Sequence, residues 1–192
     1  MTKLLFLAGS ARKDSLNKKL AKYACDLAAK HDDIEAEFID LKDYEMPLYD
    51  GDLEDAKGLP EATKRLKEKF IACDGFFIAN PEYNSSITPL LKNTVDWMTR
   101  PHMEDEPRLA AFAGKTCALA AASPGGLGGM RVLPIVRSLF SNIDVLVIPQ
   151  QMSLGNGFDA FDENGALIKD ADQKRLKGVI ESFVRVSKAL ST

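Results

Sequence analysis

The stretch LFLAGSARKDSLN, residues 5–17, decides the fold. An apolar run over Leu4–Ala8 turns abruptly polar and ends in a pattern that predicts the start of a helix. A buried strand that leads through a polar turn into a helix is the repeating unit of a parallel α/β sheet. Free N–H groups and the helix dipole favour negative charge at such a turn. The stretch therefore predicts a parallel sheet together with an anion site.

Four further apolar runs lie at Ile34–Ile39, Gly75–Ala79, Thr116–Ala122 and Ile143–Ile148. Several are nearly continuous, as expected for strands that are buried on both faces of a parallel sheet. Apolar residues at helical spacing fill the gaps between the runs, for example Leu16, Leu20, Ala24 and Leu27. We therefore predict an α/β fold, a flavodoxin-like three-layer α/β/α sandwich with a five-stranded parallel sheet of order 2-1-3-4-5, as one domain over residues 1–192.

Composition narrows the range of partners. The formal net charge of −3 gives no reason to expect nucleic acid or an anionic membrane. No run of 18 or more apolar residues occurs, and the run at the N-terminus is followed by Arg12, Lys13 and Asp14, unlike a signal peptide. Without a membrane or secretory signal, we expect a cytoplasmic protein that binds neither nucleic acid nor membrane.

Cysteine and histidine give no sign of a disulfide framework or a metal site. Cys25, Cys73 and Cys117 are widely spaced among apolar neighbours, which predicts buried, reduced thiols. His31 and His102 are the only histidines and do not have the spacing of metal ligands. We expect no metal.

The remaining segments give local predictions. Asn164–Gly165 predicts a two-residue hairpin turn within Phe161–Ile168. The segment Asp43–Pro60 is rich in Asp, Pro and Gly and is expected to wrap the surface irregularly, and Arg100–Arg108 is expected to be a mobile loop. The charge run over residues 64–69 is typical of a solvated helix face.

The first loop has the chemistry of an anion site without a standard nucleotide motif. Neither G-x-G-x-x-G nor the Walker pattern is present. Ser10, Ser15 and Asn17 offer hydrogen-bonding groups near the helix start, and Arg12 offers a forked cation. The alternative is that Ser15 is only an N-cap and Arg12 a solvated surface residue. This loop alone leaves both interpretations open.

The second informative loop is NPEYNSSITPLLKNTVDWM, which follows the third predicted strand. Thr88 and Pro89 predict an N-cap followed by proline at the first helical position. Pro81–Asn84 then lies at the carboxyl edge of the sheet, where its polar groups can face the edge of a flat heterocycle. We expect Val95 and Trp97, inside the helix, to be core or subunit-interface residues.

Together these loops resemble a known family. The pattern G-S-x-R-x-x-S-x-N after strand 1, N-P-E-Y-N-x-S-x-x-P after strand 3 and Ser123–Gly129 after strand 4 are similar to the motifs of the NADPH-dependent FMN reductase family. The resemblance extends in order from Lys3 to the last helix. It implies FMN as cofactor and NADPH, or NADH, as co-substrate. Ser85 departs from the family pattern, where many members have glycine.

The resemblance also implies roles for individual residues. The FMN phosphate would contact the first loop, the isoalloxazine ring would lie against the second, and the third would meet its other polar edge. In that order, the implied residues are Ser10, Arg12, Ser15, Leu16 and Asn17; Pro81, Glu82, Tyr83 and Asn84; and Ser123, Pro124, Gly125 and Gly126. Pro124 stiffens a loop that varies between members of the family.

The implied activity is a ping-pong transfer from NADPH to FMN and on to a small-molecule acceptor: a quinone, flavin, azo compound or chromate. The flavin carries the chemistry, so no catalytic side chain is expected. We expect Glu82 to be a solvent-facing charge or, less simply, a proton donor, and Asp96 a helix or interface partner. The resemblance implies a homodimer or homotetramer to which Trp97, Met98 and residues 100–112 contribute. A flavodoxin-type electron carrier and a phosphate-sensing regulator remain alternatives.

Overall fold

The computed structural model of the chain describes residues 1–191. Strands and helices alternate along most of the chain. In order, they are β1 (Thr2–Ala8), α1 (Leu16–Ala28), β2 (Ile34–Ile39), α2 (Gly51–Lys57), α3 (Glu61–Ala72), β3 (Gly75–Ala79), α4 (Pro89–Met98), β4 (Thr116–Ala122), α5 (Val132–Ser141), β5 (Leu146–Leu154) and α6 (Asp170–Leu190). Short 3₁₀ turns at Leu41–Asp43 and Gly157–Asp159 complete the elements of the described residues.

The five strands form one parallel sheet of order β2-β1-β3-β4-β5. One apolar core, which includes Leu20 and Phe183, lies between the sheet and helices α1 and α6. A second core, which includes Phe70, Val95 and Phe140, lies between the opposite face and helices α3, α4 and α5. Both faces of the sheet are thus covered. The predicted three-layer fold and strand order are confirmed, as are the first four strands.

The predicted fifth strand, Ile143–Ile148, was placed too early. Ile143 lies in a turn, where Asp144 has the left-handed φ of 62° and ends the helical hydrogen bonding of α5. The strand itself runs from Leu146 to Leu154 across a β-bulge that shifts its register on β4. Arg137 of α5 donates to the carbonyl oxygens of Val147 and Ile148 at 2.9 Å each, which satisfies backbone groups at the irregularity.

The segment Asp43–Pro60 is not irregular throughout, because it contains helix α2. Asp50 caps that helix by accepting from the N–H of Asp52. The residues that precede it are held against α4: the indole of Trp97 donates to the carbonyl of Pro47 at 2.8 Å, and the Tyr49 N–H donates to Asn93 Oδ1 at 2.7 Å. These side chains are distant in sequence, so local composition did not indicate the anchoring.

Trp97 and Met98 are fully buried inside the chain, and Val95 is buried beside them. The core alternative for Trp97 and Val95 is therefore confirmed. The expectation that Trp97 and Met98 contribute to a subunit interface is wrong, because neither side chain reaches the surface of the chain.

The charge run on α3 is only partly solvated, so the predicted solvated helix face is wrong at Lys67. The side chain of Lys67 is 1% exposed, and its ammonium group binds the carboxylate of Glu106 and the carbonyl of Arg100. The carboxylate of Glu106 is 2% exposed and also accepts from the N–H of His102 at 3.2 Å. The loop over residues 100–108 is therefore attached to α3 by a buried ion pair rather than being free at every position.

The predicted hairpin within Phe161–Ile168 is present in a different form. Phe161 and Leu167 form one antiparallel bridge, and the Asp162 N–H donates to the Ala166 carbonyl. Three residues therefore form the loop, rather than the two predicted. Gly165 has φ of 82°, the left-handed residue that follows the turn in three-residue hairpins.

All three cysteines are buried free thiols, as the sequence predicts. Burial raises the pKa of Cys25 to about 11 and that of Cys73 to about 12, and raises the pKa of Cys117 as well.

Among the helices of residues 1–191, none combines the length and apolar character that crossing a membrane requires.

Candidate functional site

Three loops meet at the carboxyl edge of the sheet: loop one (residues 9–15, after β1), loop two (residues 80–88, after β3) and loop three (residues 123–131, after β4). They enclose a cleft of about 150 Å³. Its walls include most of the residues that the sequence predicted and three others. The lining residues are Ser10, Arg12, Asp14, Ser15, Leu16, Asn17, Pro81, Glu82, Tyr83, Ala122, Ser123, Pro124 and Phe158.

Loop one carries the positive end of a helix into the cleft. Ser15 is the N-cap of α1, and its Oγ accepts from the N–H of Lys18. Leu16 and Asn17 are the first two helical residues, whose N–H groups have no partner within the helix. Among residues 1–191, the Arg12 side chain has neither an ion-pair nor a hydrogen-bond partner. Two backbone donors and a guanidinium are therefore available to an anion. The carboxylate of Asp14 lines the same cleft and would repel an anion.

Loop two is attached directly to loop one. Thr88 caps α4 by accepting from the Leu91 N–H, as the sequence predicts, and its hydroxyl donates to the carbonyl of Gly9 at 2.7 Å. Asn80 lies in the same contact, since its Oδ1 is 3.4 Å from the Thr88 hydroxyl. Its Nδ2 donates to the Pro81 carbonyl at 2.8 Å. The buried side chains of Asn80 and Thr88 thus fix the relative position of the two loops.

The tip of loop two is a tight two-residue turn. The backbone groups of Tyr83 and Ser86 exchange hydrogen bonds of 3.0 Å, and the two residues between them have left-handed backbone conformations, with φ of 51° at Asn84 and 62° at Ser85. Asparagine tolerates this conformation, whereas serine is strained in it. Glycine is the residue that this position favours, so Ser85 departs from the expected glycine at a cost in backbone strain.

Loop three uses its glycines in two ways. A Cβ on Gly128 would lie 2.6 Å from the backbone of Gly155, and a Cβ on Gly129 would lie 2.9 Å from Ala121. These two glycines are required by close packing and by their positive φ angles. Gly125 and Gly126 meet no such obstruction. Their main chain is open toward a second cleft of about 360 Å³, which shares Glu82 and Ser123 with the first.

Glu82 is an ion-pair partner and not a free charge. The side chain of Arg131 donates to Glu82 through Nε at 2.6 Å, and the Arg131 backbone N–H donates to the same carboxylate at 3.2 Å. The Glu82 side chain is 7% exposed. The pair joins loop two to the start of α5 and excludes the solvent-facing alternative for Glu82. Asp96 forms a helical pair with Lys92 at 2.5 Å, which agrees with its helix-partner alternative.

Ten of the thirteen predicted site residues line the first cleft, Gly125 and Gly126 line the second, and Asn84 lines neither. Sequence reasoning missed Asp14, Phe158 and Arg131. Asp14 was visible inside the motif, but Phe158 lies far along the chain in the turn after β5 and had no local signal. Asn17 lines the cleft while both polar atoms of its side chain are bound to the backbone of Ala122.

The protein-family model described as NADPH-dependent FMN reductase matches residues 2–159. The chain belongs to this family. The quinone reductase of Pseudomonas putida is 31% identical over 179 residues, which cover 92% of this chain and 90% of the relative. The 2-hydroxy-1,4-benzoquinone reductase of a Burkholderia species is 29% identical over 182 residues, covering 94% and 93% respectively.

A solved structure gives the same assignment for the fold. FerB of Paracoccus denitrificans, a flavoenzyme NAD(P)H:(acceptor) oxidoreductase, superimposes with a TM-score of 0.84 at 27% identity and full coverage of both chains. As a member of the NADPH-dependent FMN reductase family, the chain is an oxidoreductase. The cofactor and co-substrate of this family, FMN and NAD(P)H, are those predicted from the sequence.

The residues of the cleft fit FMN on structural grounds. The phosphate is an anion, and the start of α1 and the unpaired Arg12 are the groups that bind one. A Cβ on Gly125 or Gly126 would meet nothing closer than 4.0 Å, so a flat ring has room to approach the main chain there. Exposed apolar side chains, Tyr83 at 51% and Phe158 at 68%, stand at the rim. The position of each predicted contact residue on FMN stays a prediction.

Proposed function

We propose that this chain is an FMN-dependent oxidoreductase that takes a hydride from NADPH or NADH and passes two electrons to a small-molecule acceptor by a ping-pong mechanism. The observation that carries the proposal is the meeting of three motif-bearing loops in one cleft that contains a helix N-terminus and an unpaired arginine. Family membership supports the reductase class.

The binding roles follow from the chemistry of each loop. We assign the FMN phosphate to the Arg12 guanidinium, the Ser10 hydroxyl and the N–H groups that begin α1. Loop two and the Gly125–Gly126 backbone lie where the ring would be held, and backbone N–H groups near its polar edge favour negative charge there. When bound, FMN supplies hydride acceptance and the release of two electrons. The side chains of the chain bind and orient, and none is needed as a nucleophile.

Quinones are the acceptor class that we favour. The rim carries exposed apolar side chains at Tyr83, Leu127, Met130 and Phe158, which suit a flat, apolar ring. The quinone reductase names of its relatives support this choice. Free flavins, azo compounds and chromate are further acceptors to be tested. In the ping-pong order, oxidised nicotinamide leaves before the acceptor reaches the same open face.

Anaerobic reduction tests the proposal directly. The purified protein, reconstituted with FMN, is mixed with NADPH and with NADH, and the flavin absorbance near its visible maximum is followed. We expect rapid bleaching, and then recolouring on addition of a quinone. Parallel lines in double-reciprocal plots against both substrates would support the ping-pong order, whereas intersecting lines would exclude it.

The alternatives give different results in the same experiment. A protein that binds FMN but is bleached only when a separate reductase is present is an electron carrier. A protein that does not bind FMN at all overturns the proposal.

We further propose a homodimer or homotetramer. Analytical ultracentrifugation of the FMN-loaded protein measures its mass, and a single species at the monomer mass of 21.1 kDa would contradict the proposal.

A further inference from the structure

We propose that Asn17 is a positioning residue that fixes loop three relative to loop one, and that its side chain does not bind the flavin phosphate. The inference rests on the proposed FMN site and refines it. The Asn17 side chain belongs to a residue that is 3% exposed. Its Nδ2 donates to the carbonyl of Ala122 at 2.8 Å, and its Oδ1 accepts from the Ala122 N–H at 2.8 Å.

The geometry of the sheet explains why Ala122 needs this partner. The Ala120 carbonyl accepts from the N–H of Asn80, so the backbone groups of Ala120 point toward β3. Alternation along a strand makes those of Ala122 point to the same side. Strand β3 ends at Ala79 and turns away into loop two. The N–H and C=O of Ala122 would therefore be unpaired in a buried position without another donor and acceptor.

An asparagine amide supplies both groups in one plane, as a peptide group of a neighbouring strand would. Asn17 is the second residue of α1, so the amide lies one residue beyond the helix start that loop one presents. Ala122 is the last residue of β4 and directly precedes Ser123. The two hydrogen bonds therefore join the residue before loop three to the second residue after loop one.

The turn after β5 makes further contacts with the same two segments. The N–H of Gly157 donates to the carbonyl of Ser123 at 3.0 Å, and a Cβ on Gly157 would lie 2.7 Å from the side chain of Leu16. The start of α1, the start of loop three and the turn after β5 thus pack together. Asn17 Oδ1 and one of the two Nδ2 hydrogens are thus engaged at Ala122 in a residue that is 3% exposed, so we assign any contact of Asn17 with a phosphate to its backbone N–H.

Comparison of FMN with riboflavin separates the two possible roles. The chain is prepared as apoprotein, and binding of each flavin is measured by quenching of flavin fluorescence for the wild type, N17A and R12A. We expect R12A to weaken FMN by about tenfold or more and to leave riboflavin unchanged, because Arg12 acts on the phosphate. We expect N17A to weaken FMN and riboflavin by the same factor, about tenfold.

Hydrogen exchange in the apoprotein gives a measurement that does not depend on flavin. In N17A the Ala122 amide loses its acceptor and should exchange about tenfold faster or more, while the Phe77 amide in β3 is unchanged. D26N, on the exposed side of α1, is the control that alters neither measurement. If N17A does not fold, N17S serves, because its neutral hydroxyl is too short to bridge both backbone groups.

The outcomes are distinct. Loss of FMN affinity in N17A with unchanged riboflavin affinity would assign the side chain to the phosphate and overturn the proposal, as would unchanged exchange at Ala122. Failure of the wild-type protein to bind either flavin would refute the proposed function alone, since the exchange measurement still decides the role of Asn17.

Discussion

Gly9 and Asn80 fit together only because Gly9 has no side chain: a Cβ there would lie 2.0 Å from Asn80 Oδ1 and 3.1 Å from Thr88 Oγ1. The Gly9 carbonyl also accepts from Thr88. The first residue after β1 is therefore packed against the side chains that position loop two, and any side chain at residue 9 must separate the two loops.

We accordingly predict that Gly9→Ala lowers the free energy of unfolding by about 1–3 kcal/mol, the usual cost of overpacking, and weakens FMN binding. Urea denaturation measures the first effect and flavin titration the second. Gly178→Ala is the matched control, because a Cβ at this exposed position in α6 meets nothing within 4 Å. That control should be stabilising, by about 0.5–1 kcal/mol. Equal effects of the two substitutions would contradict the packing argument.

The second prediction concerns Arg12, whose guanidinium has no ion-pair partner among residues 1–191. Arg12→Ala should weaken FMN binding by about 1.5–3 kcal/mol, the scale of a hydrogen bond to a charged group, and leave the unfolding free energy nearly unchanged. Fluorescence titration of the apoprotein with FMN checks the affinity. Unchanged affinity would return Arg12 to the alternative of a solvated surface residue. Lys13→Ala, in the same loop but outside the cleft lining, is the control.

Ser85 gives a prediction in the stabilising direction. Its φ of 62° is a conformation that costs an L-residue about 1–2 kcal/mol, whereas glycine adopts it freely at the expense of a more flexible unfolded chain. Ser85→Gly should therefore raise the free energy of unfolding by about 0.5–1 kcal/mol. Ser86 has no positive φ, so Ser86→Gly should lower the free energy of unfolding. Thermal or urea unfolding of the two variants side by side distinguishes strain at Ser85 from a general effect of glycine in the loop.

The sequence predicted those features that depend on short stretches of chain. Thr88 was predicted as a cap, and a cap at Ser15 was one of the two interpretations left open, because capping involves residues only a few positions apart. The strand order followed from the alternation of buried runs with helices. The burial of Lys67 was not predictable in this way, since its partner Glu106 is 39 residues away and the α3 charges resemble any solvated face.

The same distinction between local patterns and distant partners applies to the candidate site. The residue types in the three loops indicated an anion site and a flat ring, and the fold brings the loops together. What each side chain does there was decided by distant partners: Asn17 is bound by Ala122, 105 residues away, and Glu82 by Arg131, 49 residues away. Local patterns identify which residues reach a sheet edge, whereas tertiary contacts decide which polar groups stay free for a ligand.

We expect the buried cysteines to take no part in flavin reduction and not to react with thiol reagents in the folded protein. Burial raises the pKa of Cys73 to about 12, so its thiol is protonated and shielded at neutral pH. We predict that Cys73→Ser changes the rate of flavin reduction by NADPH by no more than about twofold, because only an exposed thiolate can take part in the chemistry. The native protein should also fail to react with a thiol reagent until it is denatured. Stopped-flow reduction and a colorimetric thiol assay test the two statements, and a large loss of rate in a folded variant would reveal a thiol role.

The buried pair of Lys67 and Glu106 makes stability depend on pH in a defined direction. Burial tends to raise the pKa of Glu106, but the hydrogen bonds from Lys67 and the His102 N–H and the nearby positive charges outweigh it, so the pKa lies below its ordinary value of 4.5. A carboxylate with a lowered pKa in the folded state contributes stability that is fully present above the unfolded-state pKa. That contribution is lost as the pH falls through the folded-state pKa.

We therefore predict that Glu106→Gln lowers the free energy of unfolding at pH 7 by about 3–5 kcal/mol, because it leaves the Lys67 ammonium buried without its counter-charge. The loss relative to wild type should shrink once the pH falls below 4.5, where the carboxylate of the unfolded wild type becomes protonated, and the two proteins should converge as the pH falls through the lowered pKa of the folded state. Urea denaturation of both proteins at a series of pH values measures this. Lys67→Met separates charge from packing, since it fills similar volume without a cation, and the double variant Lys67→Met/Glu106→Gln should recover part of the loss. A constant difference between wild type and Glu106→Gln at every pH would mean that the ionised carboxylate does not stabilise this loop.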